Sequence, residues 1–324
     1  MKMIQRTLLT ALLLILATGC GKSAPPVHIQ RFDIALLHAV QSQDTAQITL
    51  LREQYPVMLD IIGKSVLNMQ SPDHPGFSKQ VIQYYSEPTL QKLYQEAVTL
   101  FADVTDAEQQ LADAFAFLTS QFPSMQIPAV YMHVSGFNQN ILVGEGILSL
   151  SIDKYMGDDY PLYQEFFYDY QRQKMQPRNI VQDYLAGFLM SEYPFTGNEN
   201  ILLERMIYEG KIRYLLAQAL PGVTPARLTG CTEEEYQWVK SHESSIWQAI
   251  IERKHLYTPD PLTTARYFSD HPSDFLSDGA PGNLGTCMGF QIITCYMQET
   301  SPTLPTLMHH TEPQSLLTAS KYKP

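Results

Sequence analysis

The sequence predicts an α+β fold that is mostly helical, a single domain around a small central sheet. Apolar residues recur at helical spacing over long stretches at the front and back of the chain, and two short β-rich runs stand between them. No internal repeat and no shift in composition marks a second domain. Of the 324 residues 44% are hydrophobic, enough to build a sizeable core.

The chain opens on Lys2 and Arg6, an apolar run from Leu8 to Leu16, and Ala17-Thr18-Gly19 directly before Cys20. That order is a lipoprotein signal, so residues 1–19 should be removed and Cys20 should carry the lipid. Residues 20–29, with Pro25 and Pro26, read as a lipidated tether. No later stretch reaches the roughly 18 apolar residues of a spanning helix. Loss of Lys2 and Arg6 takes the formal charge from −11 to −13, with no basic cluster to offset it, which argues against nucleic acid as a partner.

Helical spacing covers Arg31–Gln41, Asp44–Ile61, Glu87–Asp103 and Asp106–Phe122, with Pro72, Pro75 and Gly76 marking a loop. Thr105 with Glu108 three residues later predicts a capping box for the last of these. Ile127–Val134 and Ile147–Asp153 are the β-rich runs, separated by a turn-forming stretch from Ser135 to Asn140. The acidic run from Asp153 to Tyr160 lacks Ca²⁺-loop spacing and reads as a solvated turn. Pro177 opens a helix over Asn179–Met190, and Thr232 caps another that continues through Trp238 and Trp247. Gly279, Gly282, Gly285 and Gly289 precede or enter a last apolar helix; they lack dinucleotide-binding spacing and fit close helix packing. The domain should run over 30–300, and 301–324, rich in Pro, Thr and Ser, reads as a flexible tail.

The longest helical pattern with a carboxylate on its apolar side is Ile201–Leu220. Leu202, Glu209 and Leu216 fall nearly on one line, so Glu209 should point inward and must have a partner. Arg205 and Arg213, at i−4 and i+4, are candidates; the other reading is a metal ligand. Gly210 beside it costs about 1 kcal/mol relative to Ala in a helix, which predicts a close approach there.

Other catalytic constellations are incomplete. His242-Glu243 starts a zinc-peptidase motif, but Ile246 stands where the second His belongs, and Glu243 with Trp247 reads better as one helix face. No nucleophile elbow is present. Cys231 and Cys287 follow turn residues and could be nucleophiles in principle, although buried thiols are commoner. With Cys20 lipidated, Cys231, Cys287 and Cys295 allow at most one intrachain disulfide. Cys287 and Cys295, eight apart on one helix, are too far from each other to form it. No cofactor and no metal site is predicted.

Arg31-Phe32-Asp33, Ser135-Gly136-Phe137-Asn138, Ser151 through Gly157, Tyr208-Glu209-Gly210-Lys211, Thr229-Gly230, Glu243 with Ile246-Trp247, and Pro281-Gly282 through Gln291 occur in an order that resembles the gliding-motility lipoprotein GldB family. The resemblance spans about residues 29–298. It implies a lipid-anchored, periplasm-facing accessory of the gliding machinery, on the cell membrane or the outer membrane, tied to type IX protein secretion and working through protein partners. That family in turn looks similar to gluzincin-type zinc metallopeptidases, which implies a degenerate zinc-peptidase-like fold. In this likeness Glu209-Gly210-Lys211 matches the segment supplying the third ligand, while the helix that should hold H-E-x-x-H has Gln182-Asp183-Tyr184 and no His. Glu209 and Asp183, with Arg205 and Arg213 beside them, are then remnants of a site too poor in ligands for Zn²⁺. A periplasmic hydrolase with another residue set, or a ligand-binding lipoprotein, are the alternative functions.

Overall fold

The structure is a computed structural model and describes residues 26–69, 72–272, 276 and 279–324. Cys20, the signal and the first part of the tether lie outside the described residues. The observed class is α+β and mostly helical. The front half contains α1 (Phe32–Gln41), α2 (Thr45–Gln54), α3 (Pro56–Ser65), α4 (Phe77–Tyr85), α5 (Pro88–Leu100) and α6 (Thr105–Gln121). The sheet follows, β1 (Ala129–His133), β2 (Ile141–Gly144) and β3 (Ile147–Ser151), and then two single-turn helices, α7 (Tyr163–Phe166) and α8 (Asp169–Arg172). α9 (Ile180–Glu192) and α10 (Leu202–Ala219) lead into α11 (Pro225–Thr229), α12 (Glu233–Glu252), α13 (Pro261–Tyr267), α14 (Leu284–Thr300), α15 (Leu304–His309) and α16 (Pro313–Ser320).

The sheet is mixed, in the order β1-β3-β2. β3 lies parallel to β1, with Ala129 opposite Ile147, and antiparallel to β2, with Gly144 opposite Ile147. As the middle strand, β3 is buried along its whole length. β2 was not expected: four residues with one exposed apolar side chain carry too little alternation to stand out from the turn before them.

Several expected boundaries move for local reasons. The helix expected over Asp44–Ile61 is two, because Pro56 removes a backbone donor and starts a new helix at its own first position. α6 has no capping box; Glu108 Oε1 instead accepts the Ile29 backbone N–H at 2.8 Å. Ile29 is buried and Gln30 bridges β1, so packing begins inside the expected tether. The capping box on α12 is present, with Thr232 and Glu235 each bonded to the other's backbone N–H.

Residues 301–324 are not a tail. α15 and α16 both begin on Pro-containing first turns, and they bury Leu304, Leu307, Leu316 and Tyr322. Tyr322 Oη donates to Glu243 Oε1 at 2.6 Å, and its ring meets Trp247 edge-on at 5.2 Å. Glu243 and Trp247 therefore share a helix face, and its partner is the C-terminal segment.

Among the described residues there are two hydrophobic cores, and α10 belongs to both. Its first half sends Leu202, Leu203, Met206 and Ile207 into a core built with α12, α14 and α16. Its second half sends Ile212, Leu215, Leu216 and Ala219 into the larger core around the sheet, α1 to α6 and α9. Two packed sides explain why this helix, apolar over so much of its circumference, lacks a single clean stripe. α14 crosses it at backbone contact: a Cβ on Gly289 would lie 1.9 Å from the Met206 carbonyl oxygen, and one on Gly210 would lie 2.2 Å from that of Gly289. Gly210 and Gly289 thus mark a close approach, as their cost inside helices predicts.

Candidate functional site

The end of β3 organises a polar region. After Ser151 the chain turns through a single 3₁₀ turn, which buries Asp153 completely. Asp153 accepts from the backbone N–H of Phe137 at 2.9 Å, from that of Ser135 at 3.3 Å, and from the Ser151 hydroxyl. Burial pushes its carboxyl above the usual range, and these donors offset part of that. Asp153 is therefore not part of a solvated turn; only Asp158 and Asp159 of that acidic run are exposed. Its role is to fasten the Ser135–Asn140 turn to the sheet.

Lys154 and the buried Tyr155 come next and line a cleft. The Lys154 ammonium lies 4.4 Å from the centre of the Phe167 ring, a cation–π distance. Tyr155 donates to Asp183 Oδ2 at 2.6 Å. Asp183 stands in the first turn of α9, where the positive end of the helix favours a carboxylate. Burial nevertheless raises its pKa, and the hydrogen bond from Tyr155 and the positive charges of Arg213, Lys174 and Arg227 work against that rise.

Asp183 lines a cavity of 220 Å³ with Lys154, Tyr155, Lys174 and Asp270. Lys174 and Asp270 form a close ion pair and also line a neighbouring cavity of 400 Å³, which reaches Arg227, Cys231 and Asn283. On the other side Phe167 is shared with a larger cavity, 1120 Å³, walled by Tyr84, Leu90, Leu93, Phe137 and Phe166. These three chambers adjoin one another along the 152–175 segment: an apolar one, a small polar one and a charged one.

Glu209 does not reach this cleft's lining. Its side chain is 12% exposed, and Arg213 Nη2 donates to Glu209 Oε2 at 3.2 Å. Arg205, the other candidate partner, lies instead over the Phe268 ring at 4.2 Å. Arg213 is thus the cation between the two carboxylates, paired with Glu209 and drawing on Asp183 through space. Among the described residues no three His, Cys, Asp or Glu side chains are grouped to hold a metal.

Of Glu209, Asp183, Arg205 and Arg213, only Asp183 lines these chambers; Lys174 and Asp270, which also line them, were not singled out in the sequence, and Lys211 lies apart from the cleft. Lys174 and Asp270 are far apart in the chain, and neither stands in a recognisable pattern. Lys211 is buried on α10, with its ammonium donating to the His310 backbone carbonyl and its pKa brought down to about 8 by desolvation. The helical pattern did carry a signal for it, since Lys211 falls between the apolar positions Ile207 and Leu215.

The cleft holds fixed charges, a phenol and aromatic walls. The small chamber is lined by two lysines, two carboxylates and a phenol. The arrangement sets an apolar bay beside a group of charged side chains. An exposed aromatic ring lines the apolar chamber, Phe166 at 61%.

A protein-family model described as "Gliding motility protein GldB" matches residues 21–324. No curated protein and no solved structure matches the chain. The expected likeness to zinc peptidases is not shown by these comparisons; beside Glu209, a residue that likeness reads as a remnant, lies the Arg213 guanidinium.

Proposed function

The chain belongs to the gliding motility protein GldB family, and from that premise we propose that it is a lipid-anchored accessory of the gliding machinery that works by binding protein. The match of the family model to almost the whole chain carries this reading. Anchoring falls to Cys20, with the folded part facing the periplasm. It is supported by the lipoprotein signal that ends at Cys20.

The interacting surface is the three-chambered cleft, and its occupant is a polypeptide segment of the motility and type IX secretion apparatus. Supporting this is the exposed Phe166 in the wall of the apolar chamber, since aromatic anchors at a pocket are typical of binding hot spots. Glu209, Asp183 and Arg213 are then structural, a charge group that holds α9 to α10.

The experiment is recovery of crosslinked partners from cell envelopes, comparing the wild type with Phe166→Asp. A charge at the apolar chamber should reduce partner recovery at least tenfold while the chain stays folded and membrane-bound. Unchanged recovery would move the interaction off the cleft.

A further inference from the structure

Two cysteines far apart in the chain meet at the floor of the charged chamber. Cys231 Sγ and Cys287 Sγ are 3.4 Å apart, and both side chains are buried. Cys295, on the same helix as Cys287, has no part in this pair.

The backbone on each side of the pair is held independently. Cys231 follows Gly230, whose φ of +74° ends α11 in the left-handed region, and the Cys231 N–H donates to the Ala226 carbonyl at 2.9 Å. Immediately after it Thr232 begins α12 with its capping box. Cys287 lies in the first turns of α14, and its N–H donates to the carbonyl of Asn283 at 3.0 Å. The Asn283 side chain in turn reaches Asp270 Oδ1 at 3.0 Å and the Gly230 carbonyl at 3.4 Å, joining the two backbones beside the thiols. Two sulfurs brought together by frames already locked need to approach by only about 1.4 Å to reach bonding distance.

We infer that Cys231 and Cys287 are a disulfide-forming pair that is oxidised by exchange with a disulfide of the glutathione or protein thiol-oxidase class. Formation of the bond in the cell rests on the reading that the chain is exported, because oxidising compartments are where such bonds persist. Cys231 reacts first. It lines the charged chamber, whereas Cys287 is fully enclosed. The hydrogen bond from Cys287 also holds the Cys231 thiol below its ordinary range, while that same bond and burial push Cys287 up.

The Cys231 thiolate attacks one sulfur of the oxidant, giving a mixed disulfide and releasing the first oxidant thiol. Cys287 then loses its proton and attacks Cys231 Sγ; the mixed disulfide breaks and the second oxidant thiol leaves. Two electrons pass from the pair to the oxidant, whose two sulfurs take up the two protons. The bond ties the N-terminal turns of α14 to the start of α12 across the chamber that Asn283 and Arg227 line.

The test uses the full lipidated chain, extracted in detergent, reduced, and equilibrated with oxidised glutathione. After an acid quench, denaturation and alkylation, peptides are mapped by mass spectrometry. The expected wild-type product is one Cys231–Cys287 disulfide, with the apparent melting temperature raised by about 5 °C. Cys287→Ser should stop at a glutathione adduct on Cys231, and Cys231→Ser should leave Cys287 unmodified. A wild-type chain that ends with both thiols alkylated, with glutathione retained on Cys231, or with Cys287 joined to Cys295 overturns the inference. This titration needs no export. The same mapping on chains trapped directly in envelopes reads the compartment: a pair that oxidises in the tube and stays reduced in cells refutes export and leaves the chemistry of the pair standing.

Discussion

At the scale of single residues, the charge group on α9 and α10 is best understood by its one cation. Arg213 is 20% exposed, pairs with Glu209 and adds to the positive charge around Asp183, so removing it leaves Glu209 without its ion-pair partner and weakens the compensation of Asp183. Breaking a largely buried pair in this way should cost about 3 kcal/mol, whereas Glu209→Gln keeps a polar acceptor and should cost about 1 kcal/mol. Urea denaturation of Arg213→Met and Glu209→Gln measures both. The sequence showed that Glu209 needed a partner, but not which arginine, because i−4 and i+4 are equivalent until Phe268 is seen to take Arg205.

Lys211 supplies a pH signature. Its pKa falls from 10.5 when free to about 8 in the fold, so the folded state binds this proton less tightly than the unfolded one. The cost of burying the charge is fully present below pH 8, is relieved as pH rises through the folded value, and is gone above the unfolded one. Lys211→Met should therefore be stabilising by about 1 kcal/mol at pH 7, after allowance for solvent reaching the ammonium, with the advantage vanishing near pH 10. Thermal or urea midpoints of the two proteins at both pH values check this.

At the scale of elements, the crossing of α10 and α14 was legible in part. Each helix shows glycine where glycine is unfavourable, and that pointed to close packing, but nothing in the sequence said the two glycines meet each other. Gly289→Ala places a methyl group against the Met206 carbonyl, a backbone atom that cannot swing aside, and should cost about 3 kcal/mol or more. In Gly285→Ala the nearest atoms belong to the Phe268 ring, so the smaller loss expected there in the same unfolding assay separates backbone collision from side-chain crowding. The last two helices were illegible for another reason. With six and eight residues, α15 and α16 are too short to display a helical period, and their Pro, Thr and Ser content, which belongs to their caps and first turns, imitates a disordered tail. Strand β2 was hidden in the same way, by shortness.

At the scale of the molecule, the class of fold was readable because long periodic segments decide it, whereas the cleft was not, because its charges come from segments that only the fold brings together. The two cores are joined through α10, and both tryptophans, Trp238 and Trp247, pack on the second one. Leu36→Ala, deep in the first core, should cost about 3 kcal/mol and lower the midpoint seen by tryptophan fluorescence as much as that seen by circular dichroism. Separate midpoints would mean that the shared helix does not couple the cores. The central claim, a lipid-anchored partner of the gliding machinery, is tested most directly by crosslinking intact cells and identifying what is recovered with the wild-type chain and with Cys20→Ala. The account predicts motility or secretion components with the wild type and their loss, together with loss from the membrane fraction, when Cys20 is replaced. A wild-type chain that fractionates with membranes and brings down none of those components would contradict it.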